Sequence, residues 1–378
     1  MSKTRCNSAT VAALLAALAV ALALPVHAQQ VPTANGQWLP PHEIFSRFDR
    51  DGDGKLAKAE APDRMQSRWD QIDANADGFA TLAELEALPA RTAPARSGTH
   101  PAFSVIVLGS GGPPYNAQRA GPSAVIQCRG RFVLVDMGNG TLARLSEAGI
   151  SLPQIDAFVL THHHRDHDEE FLPLLNAALV RDVPLAIVGP TGTARLVDFE
   201  LDFHARDLAY RLERSGRKAS DLRKPGVREL EGGESFTLGP LRIRTAQVPH
   251  SIHTVAYRFE YEGHSIVITG DLSYSEELIA LANDTDVLVI DSGSSVVVRG
   301  GPDLAPGPQA AKGAQKAAHS TRQEVQRMAQ RSRAKKLVMT HIGPIEVDEK
   351  ATIDAIREVY PGEVVVAHDL LEVAPGGR

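Results

Sequence analysis

The sequence predicts an α/β fold preceded by a small all-α module. Three observations support this prediction. From Phe103 onward, apolar segments of strand length alternate with helical stretches. Several of the predicted strands end in a polar residue, for example Asp136 and Asp291, which is typical of layered enzymes whose functional groups follow the carboxyl ends of strands. Two acidic twelve-residue segments, 49–60 and 73–84, precede this region and predict a separate module over residues 42–88.

The composition is that of a globular protein, with 43% hydrophobic and 23% charged residues among 378. Its 40 basic and 46 acidic residues give a net charge of −6, which excludes a broadly basic nucleic-acid or anionic-membrane binder. The two cysteines, Cys6 and Cys128, are too few for a disulfide framework or a cysteine-based zinc site. Metal ligation therefore falls to aspartate and to the 14 histidines.

Residues 1–28 have the pattern of a secretory signal peptide. Lys3 and Arg5 precede an apolar run over residues 11–24, and Val26-His27-Ala28 supplies small residues at a cleavage site. The alternative is a membrane anchor, but the run is shorter than the ~20 residues that a bilayer span requires. We expect cleavage after Ala28 and a periplasmic or secreted protein without a membrane segment.

The two acidic segments share one pattern. Each has acidic or amide side chains at positions 1, 3 and 5, glycine at 6, an apolar residue at 8 and glutamate at 12. This pattern resembles a pair of EF-hands, in which six to eight oxygens surround Ca²⁺. The alternative is an acidic solvated surface that imitates the motif. In the family, position 7 binds through its backbone carbonyl. The resemblance implies up to two Ca²⁺ ions per chain, with ligands from Asp49, Asp51, Asp53, Lys55 and Glu60 and from Asp73, Asn75, Asp77, Phe79, Thr81 and Glu84.

The links around these segments complete the predicted organisation. Leu56 and Ala80 are expected to pair as a short strand between the loops. Ala57 at position 9 offers no side-chain oxygen, and the connection between the loops is short and contains Pro62, which favours a compact structural pair over a sensor that opens. Residues 89–101 are rich in proline and alanine and predict a linker. The layered domain then occupies residues 102–378.

The main motif is His162-His163-His164-Arg165-Asp166-His167, placed just after a predicted strand. It resembles the His-x-His-x-Asp-His motif of the metallo-β-lactamase superfamily, whose fold is an αββα sandwich. The superfamily's later ligands have matches in the expected order at His250, Asp271 and His341. The alternative for any single histidine is an ordinary surface or core residue.

The resemblance implies two Zn²⁺ ions per chain and a metal-bound hydroxide as nucleophile. His162, His164 and His250 would hold one ion, while Asp166, His167 and His341 would hold the other. Asp271 would bridge the two, and Asp166 would also orient the hydroxide. The His163 side chain is expected to face away from the metals.

Other residues narrow the subgroup. Asp271 stands where several true β-lactamases have cysteine, so antibiotic hydrolysis ranks low. Residues 108–113 and His319-Ser320-Thr321 resemble ribonuclease Z-like and phosphodiesterase-like members, in which this histidine assists the leaving group. The alternative for His319 is an ordinary residue at a helix start, with Ser320 or Thr321 as the cap. The chain has Asp291 where the ribonuclease Z group has a His-Glu motif, and it therefore keeps only the acid.

The expected function is hydrolysis of a phosphodiester or related ester, on a small-molecule or nucleotide substrate and without a stable nucleic-acid complex. The alternatives are a lactone or sulfate-ester hydrolase and a calcium-dependent binding protein that uses the hydrolase fold as a scaffold. The resemblance leaves a homodimer open. The charged 191–238 segment, expected to be a helical insertion, and the 300–316 loop are each either a lid or solvated surface. Arg119 is a candidate contact for a substrate anion.

Overall fold

The computed structural model describes residues 31–32, 38–39, 48–61, 66, 69–87, 101–300 and 318–376. The chain divides into two compact units, Met1–Arg91 and Thr92–Arg378. The predicted signal peptide, nearly all of the 89–101 linker and nearly all of the 300–316 loop lie outside the described residues. Within the described ranges, no helix combines the length and the apolar character that a bilayer crossing requires.

The N-terminal unit contains short strands as well as helices. Strand β1 (Val31–Pro32) pairs with β2 (Trp38–Leu39), and β3 (Leu56–Ala57) pairs with β4 (Phe79–Ala80). Two short helices, α1 (Trp69–Ile72) and α2 (Leu82–Ala87), lie on either side of β4 in sequence. Leu56 lies opposite Ala80, as the sequence predicts. The expectation of an all-α module is therefore too simple, because backbone hydrogen bonds between β3 and β4 join the two acidic loops.

A small apolar core supports this unit. Its members come from both loops and both helices, and each is almost completely buried: Leu56, Ala61, Trp69, Ile72, Ala80 and Leu85.

The second unit is built on two seven-stranded mixed sheets. The strands of the first sheet are β5 (Phe103–Gly109), β6 (Ser123–Cys128), β7 (Arg131–Val135), β8 (Ile155–Val159), β9 (Ala186–Pro190), β10 (Val227–Leu230) and β18 (Leu371–Val373). Their order in the sheet is β10-β9-β8-β7-β6-β5-β18, so the last strand in sequence pairs with the first strand of this unit.

The second sheet follows the chain order from β11 to β17. Its strands are β11 (Ser235–Leu238), β12 (Leu241–Val248), β13 (Thr254–Tyr261), β14 (His264–Ile268), β15 (Val287–Asp291), β16 (Lys336–Thr340) and β17 (Glu363–Val366). Pairing is antiparallel from β11 to β14 and parallel from β14 to β17.

Helices cover the outer faces of both sheets, apart from α4 (Arg165–Asp168), whose single turn lies at the sheet edge described below. They are α3 (Thr141–Glu147), α4 (Arg165–Asp168), α5 (Phe171–Val180), α6 (Thr193–Phe203), α7 (Ala205–Arg214), α8 (Glu276–Leu281), α9 (Arg322–Ser332) and α10 (Glu349–Arg357). Short 3-10 turns occupy Leu152–Gln154 and Ala219–Asp221.

Strand β5 shows why the layers form. All seven of its residues are buried. Val105 and Val107 belong to the core between the two sheets, whereas Ile106 and Leu108 pack in the core beneath the helices. Because successive side chains point to opposite faces, a strand covered on both sides must be apolar throughout. The order helix, sheet, sheet, helix is the sandwich that the resemblance to the superfamily implies.

Part of the predicted helical insertion belongs to the sheets. Helices α6 and α7 form as expected, but the segment near residues 218–228 contains only a 3-10 turn followed by β10. Pro225 precedes this strand, and proline disfavours the helical conformation at the residue before it. Val227 then pairs in parallel with Ile187 of β9, which satisfies the backbone of an edge strand.

Candidate metal centre

Polar side chains that follow five strands meet at one edge of the sandwich. Strands β12, β14, β15 and β16 run in the same direction, so their carboxyl ends share an edge. The residues that end or follow these strands and β8 include His250, Asp271, Asp291, His341 and His162 respectively. The strand-end residues singled out by the sequence therefore converge in space.

The histidine motif distributes its side chains in two directions. Helix α4 begins after His164, so that Asp166 and His167 lie in its single turn while His162 and His164 lie in the preceding loop. His163 faces the other way. Its Nδ1 lies 3.3 Å from Oδ2 of Asp168, and its Nε2 lies 3.1 Å from Oγ1 of Thr193 at the start of α6. As expected, His163 is outside the donor groups.

The first donor group consists of His162, His164, His250 and Asp271, with donor atoms within 4.8 Å of one another. Nδ1 of His164 lies 3.1 Å from Nε2 of His162 and 3.0 Å from Nε2 of His250. Ligands at about 2.0–2.1 Å from a tetrahedral zinc ion are separated by roughly 3.4 Å. The spacing of these nitrogens therefore fits one such ion.

The second donor group consists of Asp166, His167 and His341. Nε2 of His341 lies 3.3 Å from Oδ2 of Asp166 and 3.3 Å from Oδ1 of Asp271. Oδ1 of Asp271 also lies 3.2 Å from Nε2 of His167, whereas Oδ2 lies 3.7 Å from Nε2 of both His162 and His250. The two oxygens of Asp271 thus face different groups.

Burial and neighbouring charges shift the pKa values of His162, His250 and Asp271 toward the protonation states that bind metal cations. Burial lowers the pKa of His162 and of His250, which favours the neutral imidazole that ligates metals. Burial alone opposes the ionisation of Asp271, but the neighbouring His341 and His167 hold its pKa well below the usual range. Nε2 of His167 and Oδ1 of Asp271 are buried without a hydrogen-bond partner. A bound cation would satisfy both atoms.

The chain has clear relatives. The family model described as the Beta-lactamase superfamily domain matches residues 131–342. The chain belongs to the metallo-β-lactamase superfamily. It is 32% identical over 287 residues to a ribonuclease Z from Mycobacterium sp. (strain KMS), in a match that covers 72% of this chain and 97% of that protein.

Solved structures share the superfamily fold. The metallo-β-lactamase fold protein YhfI from Bacillus subtilis matches with a TM-score of 0.56 and 22% identity, over 72% of this chain and 98% of its own. The short form of human tRNase Z matches with a TM-score of 0.54 and 23% identity, over 72% of this chain and all of its own. The family match, the 32% identity to a ribonuclease Z and the two donor groups together show that the protein is a metal-dependent hydrolase of the metallo-β-lactamase superfamily with a His/Asp metal site.

Asp136 orients part of the metal centre through hydrogen bonds. This residue directly follows β7, and its Oδ2 lies 2.8 Å from Nδ1 of His167. The same carboxylate accepts hydrogen bonds of 2.7 Å from the backbone N–H and the hydroxyl of Thr161. It thereby orients one candidate ligand and the loop that carries two others. The sequence signals Asp136 as a strand-end acid without revealing this role.

His319 lies at the outer side of the centre. Its Nδ1 is 2.7 Å from Oδ2 of Asp291, and about a third of its side chain is exposed. Burial opposes protonation, but the hydrogen bond and the charge of Asp291 raise the pKa of His319 to about 9. The next residues form the predicted helix start, with Thr321 as the N-cap of α9 and Glu324 completing a capping box. The N-cap of α9 thus positions the backbone next to His319, and the imidazole of His319 faces the metal centre.

Arg119, the candidate contact for a substrate anion, makes hydrogen bonds within the protein through its Nη1. Its Nη1 donates to Oγ of Ser110 at 2.7 Å and to the carbonyl oxygen of Ala367 at 2.6 Å. The guanidinium is half-buried against these groups, and it holds the loop between β5 and β6.

The two acidic loops of the N-terminal unit repeat one hydrogen-bond pattern. In the first loop, Glu60 accepts from the N–H groups of Arg50 and Ala57, both at 3.0 Å. In the second, Glu84 accepts from Ala74 at 3.1 Å and from Thr81 at 2.9 Å. These donors occupy positions 2 and 9 of each loop.

Oxygen atoms gather inside both loops. The carboxylates of Asp49, Asp51 and Asp53 lie within 4.8 Å of one another. In the second loop, Asp73 accepts hydrogen bonds from the N–H groups of Asp77 and Gly78. Asn75 Nδ2 donates to Oδ2 of Asp77 at 3.2 Å. Position 7 of the first loop contacts position 7 of the second, since Nζ of Lys55 lies 5.2 Å from the centre of the Phe79 ring.

Proposed function

We propose that the protein is a dinuclear-zinc hydrolase that acts on phosphodiesters. The observation that carries this proposal is the position of Asp271, whose two carboxylate oxygens face two separate groups of donors. The proposed ligands are His162, His164 and His250 for one ion, Asp166, His167 and His341 for the other, and Asp271 for both.

The donor set supports zinc. Imidazole nitrogens and carboxylate oxygens are ordinary zinc ligands, whereas magnesium and calcium prefer oxygen alone. Two zinc ions in such a site supply Lewis acidity toward a phosphoryl oxygen and an activated water at neutral pH. The orphaned atoms of His167 and Asp271 need such a partner, because an unsatisfied buried polar atom is unfavourable.

Asp166 and His319 are the side chains that orient the water and donate the proton in the proposed reaction. Asp166, whose side chain is about a quarter exposed, accepts a hydrogen bond from the attacking water and orients it toward phosphorus. His319 donates the proton of its Nε2 to the departing alkoxide, while Asp291 Oδ2 accepts the hydrogen bond from Nδ1 and stabilises the cationic ring. A proton donor is needed most when the leaving group is a poor one, such as a sugar hydroxyl.

The phosphodiester is favoured over the alternative esters by the similarity to ribonuclease Z and by His319. A panel of p-nitrophenyl phosphodiester, phosphomonoester and sulfate ester, a lactone and a β-lactam, tested with zinc-loaded and chelator-treated protein, separates the candidates. We expect zinc-dependent hydrolysis of the diester with the highest kcat/KM. A protein that holds two zinc ions but hydrolyses no member of the panel would contradict the proposal and favour the binding-protein alternative.

The repeated geometry of the two acidic loops supports calcium binding by the N-terminal unit. In each loop a glutamate at position 12 already folds over the loop and receives N–H groups from positions 2 and 9. A bound Ca²⁺ would neutralise the clustered carboxylates and take up oxygens that now accept backbone hydrogen bonds. We propose a stabilising pair of calcium sites over residues 42–88.

We also propose that the protein is exported. The basic flank, apolar run and Val26-His27-Ala28 site of residues 1–28 are the basis for this proposal. The intact mass of protein purified from its native host should correspond to a chain that begins at Gln29. A mass that retains Met1 would refute it.

A further inference from the structure

A loop between β5 and β6 borders the proposed metal centre. We call residues 110–120 the mouth loop. Its Gly112 packs so closely on the imidazole of His341 that a Cβ at this position would lie 2.7 Å from Cε1 of the ring. The N–H of Gly112 donates to the carbonyl oxygen of Ile342 at 3.1 Å, and the N–H of Ile342 donates to Ser110 at 2.9 Å. The mouth loop therefore lies directly beside a proposed zinc ligand.

The mouth loop is fixed at both ends. Asp369 accepts the N–H of Ser110 at 3.0 Å with one carboxylate oxygen and the N–H of Ala120 at 2.8 Å with the other. Arg119 donates to Ser110 Oγ, as described above. Within the loop, Asn116 accepts the N–H of Gln118 with its side chain at 2.8 Å and the N–H of Arg119 with its carbonyl at 3.3 Å. These two hydrogen bonds define the turn that follows Tyr115.

Tyr115 is the large exposed aromatic residue of the mouth loop. It is 75% exposed, the highest value among the exposed large apolar and aromatic side chains of the described residues. No hydrogen bond or ring contact joins it to another described residue, whereas Phe199, Phe203 and Tyr210 on α6 and α7 contact neighbouring side chains. Tyr115 is three positions after Gly112 in sequence, so its Cα lies within about 10 Å of the Gly112 Cα that packs on His341.

We propose that Tyr115 contacts the substrate by stacking on a nucleobase of a nucleotide phosphodiester bound at the metal centre. This inference rests on the proposed phosphodiesterase function and specifies its substrate class. An aromatic ring stacks on any base, because every base offers a flat π-face. Holding the ring on a fixed loop lowers the ordering entropy that binding would otherwise require. The site thereby prefers a nucleoside ester to an ester that carries only a small alkyl group.

The test compares substrates that share a leaving group. Methyl p-nitrophenyl phosphate and the 5′ and 3′ p-nitrophenyl phosphates of thymidine differ only in the group on the other ester oxygen. We expect wild-type protein to favour one thymidine ester in kcat/KM. Tyr115→Ala should lower that preference by about tenfold or more, the usual effect of losing one base–aromatic stack. It should leave kcat/KM for the methyl ester unchanged, and Tyr115→Phe should retain the preference.

Two further measurements make the outcome decisive. Tyr210→Ala, which removes an exposed tyrosine from α7, is the matched control and should leave kcat/KM unchanged for both the methyl and the thymidine esters. Calorimetric binding of thymidine 5′-monophosphate to the zinc-loaded protein should weaken in Tyr115→Ala but not in Tyr115→Phe, independently of turnover. An equal loss for the methyl and thymidine esters, or no loss for either, would overturn the inference while leaving the phosphodiesterase proposal intact. Absence of hydrolysis of every diester by wild-type protein would refute both.

Discussion

Replacing Asp271 by alanine is expected to empty both halves of the metal centre together. Its Oδ1 lies 3.2 Å from Nε2 of His167 and 3.3 Å from Nε2 of His341. Its Oδ2 lies 3.7 Å from Nε2 of His162 and of His250. Each proposed ion thus loses a ligand from a single change. We expect the zinc content to fall from two ions per chain to none after gel filtration, and hydrolysis to fall with it.

The same change also affects the protein without metal. There Asp271, only 2% exposed, is the anion that balances His167 and His341, whose pKa values its charge raises against the opposing effect of burial. Removing one partner from a buried ion pair destabilises by about 3–5 kcal/mol. At roughly 2–4 °C per kcal/mol for a domain of this class, the melting temperature in chelator should fall by roughly 6–20 °C.

A second buried carboxylate provides the control. Asp286 is 7% exposed and accepts hydrogen bonds from Lys335 Nζ at 2.7 Å and from the N–H of Ser265 at 2.8 Å. It precedes β15 and therefore lies at the end of the sheet opposite the metal centre. Asp286→Ala should lower the melting temperature but retain both zinc ions, as metal analysis by mass spectrometry would show. Two zinc ions and normal turnover in Asp271→Ala would refute the assignment of the site.

Three further outcomes are expected. His319→Ala should retain both zinc ions but slow hydrolysis by about 10²–10⁴-fold for an alkyl leaving group, and by much less for p-nitrophenol; equal losses in steady-state kinetics would argue against proton donation. Calcium, binding at roughly 10⁻⁴–10⁻³ M, should raise the melting temperature of the N-terminal unit, and Glu60→Gln combined with Glu84→Gln should abolish the shift. A calcium response that persists in the double variant would contradict the proposed sites. Cys128 is buried, and burial raises its pKa, so a Cys6→Ser chain should react with a thiol reagent only after denaturation. Rapid reaction under native conditions would contradict this placement.

The proposed zinc ligands could be found from sequence because they resemble the ligand pattern of the metallo-β-lactamase superfamily, and local rules explain why they lie close together. His162, His164, Asp166 and His167 lie within six residues, so one loop and one helical turn place them. His250, Asp271 and His341 follow strands whose apolar runs are visible in the sequence, and strands that run in one direction bring their carboxyl ends together.

Other features depend on contacts that no local pattern reveals. Asp291 reaches His319, 28 residues later, and this pair forms only because β15 and α9 take their places beside one another. The Arg119 guanidinium donates a hydrogen bond to the carbonyl oxygen of Ala367, which is 248 residues away in sequence. The 218–228 segment belongs to the charged region for which the sequence predicts a helical insertion, but part of it pairs with the open edge of β9 instead.

Asp369 and β18 complete the mouth loop and the first sheet from a distant part of the chain. Asp369 and Ser110 are 259 residues apart in sequence. Strand β18 pairs with the edge of β5, which is the first strand of the second unit in sequence. Until residues 369–373 are made, β5 has an unpaired edge and the mouth loop lacks the carboxylate that joins its two ends. Contacts across so long a stretch of chain also form slowly. A chain shortened before residue 369 would carry all seven proposed zinc ligands and yet lack the contacts that join the two ends of the mouth loop beside them.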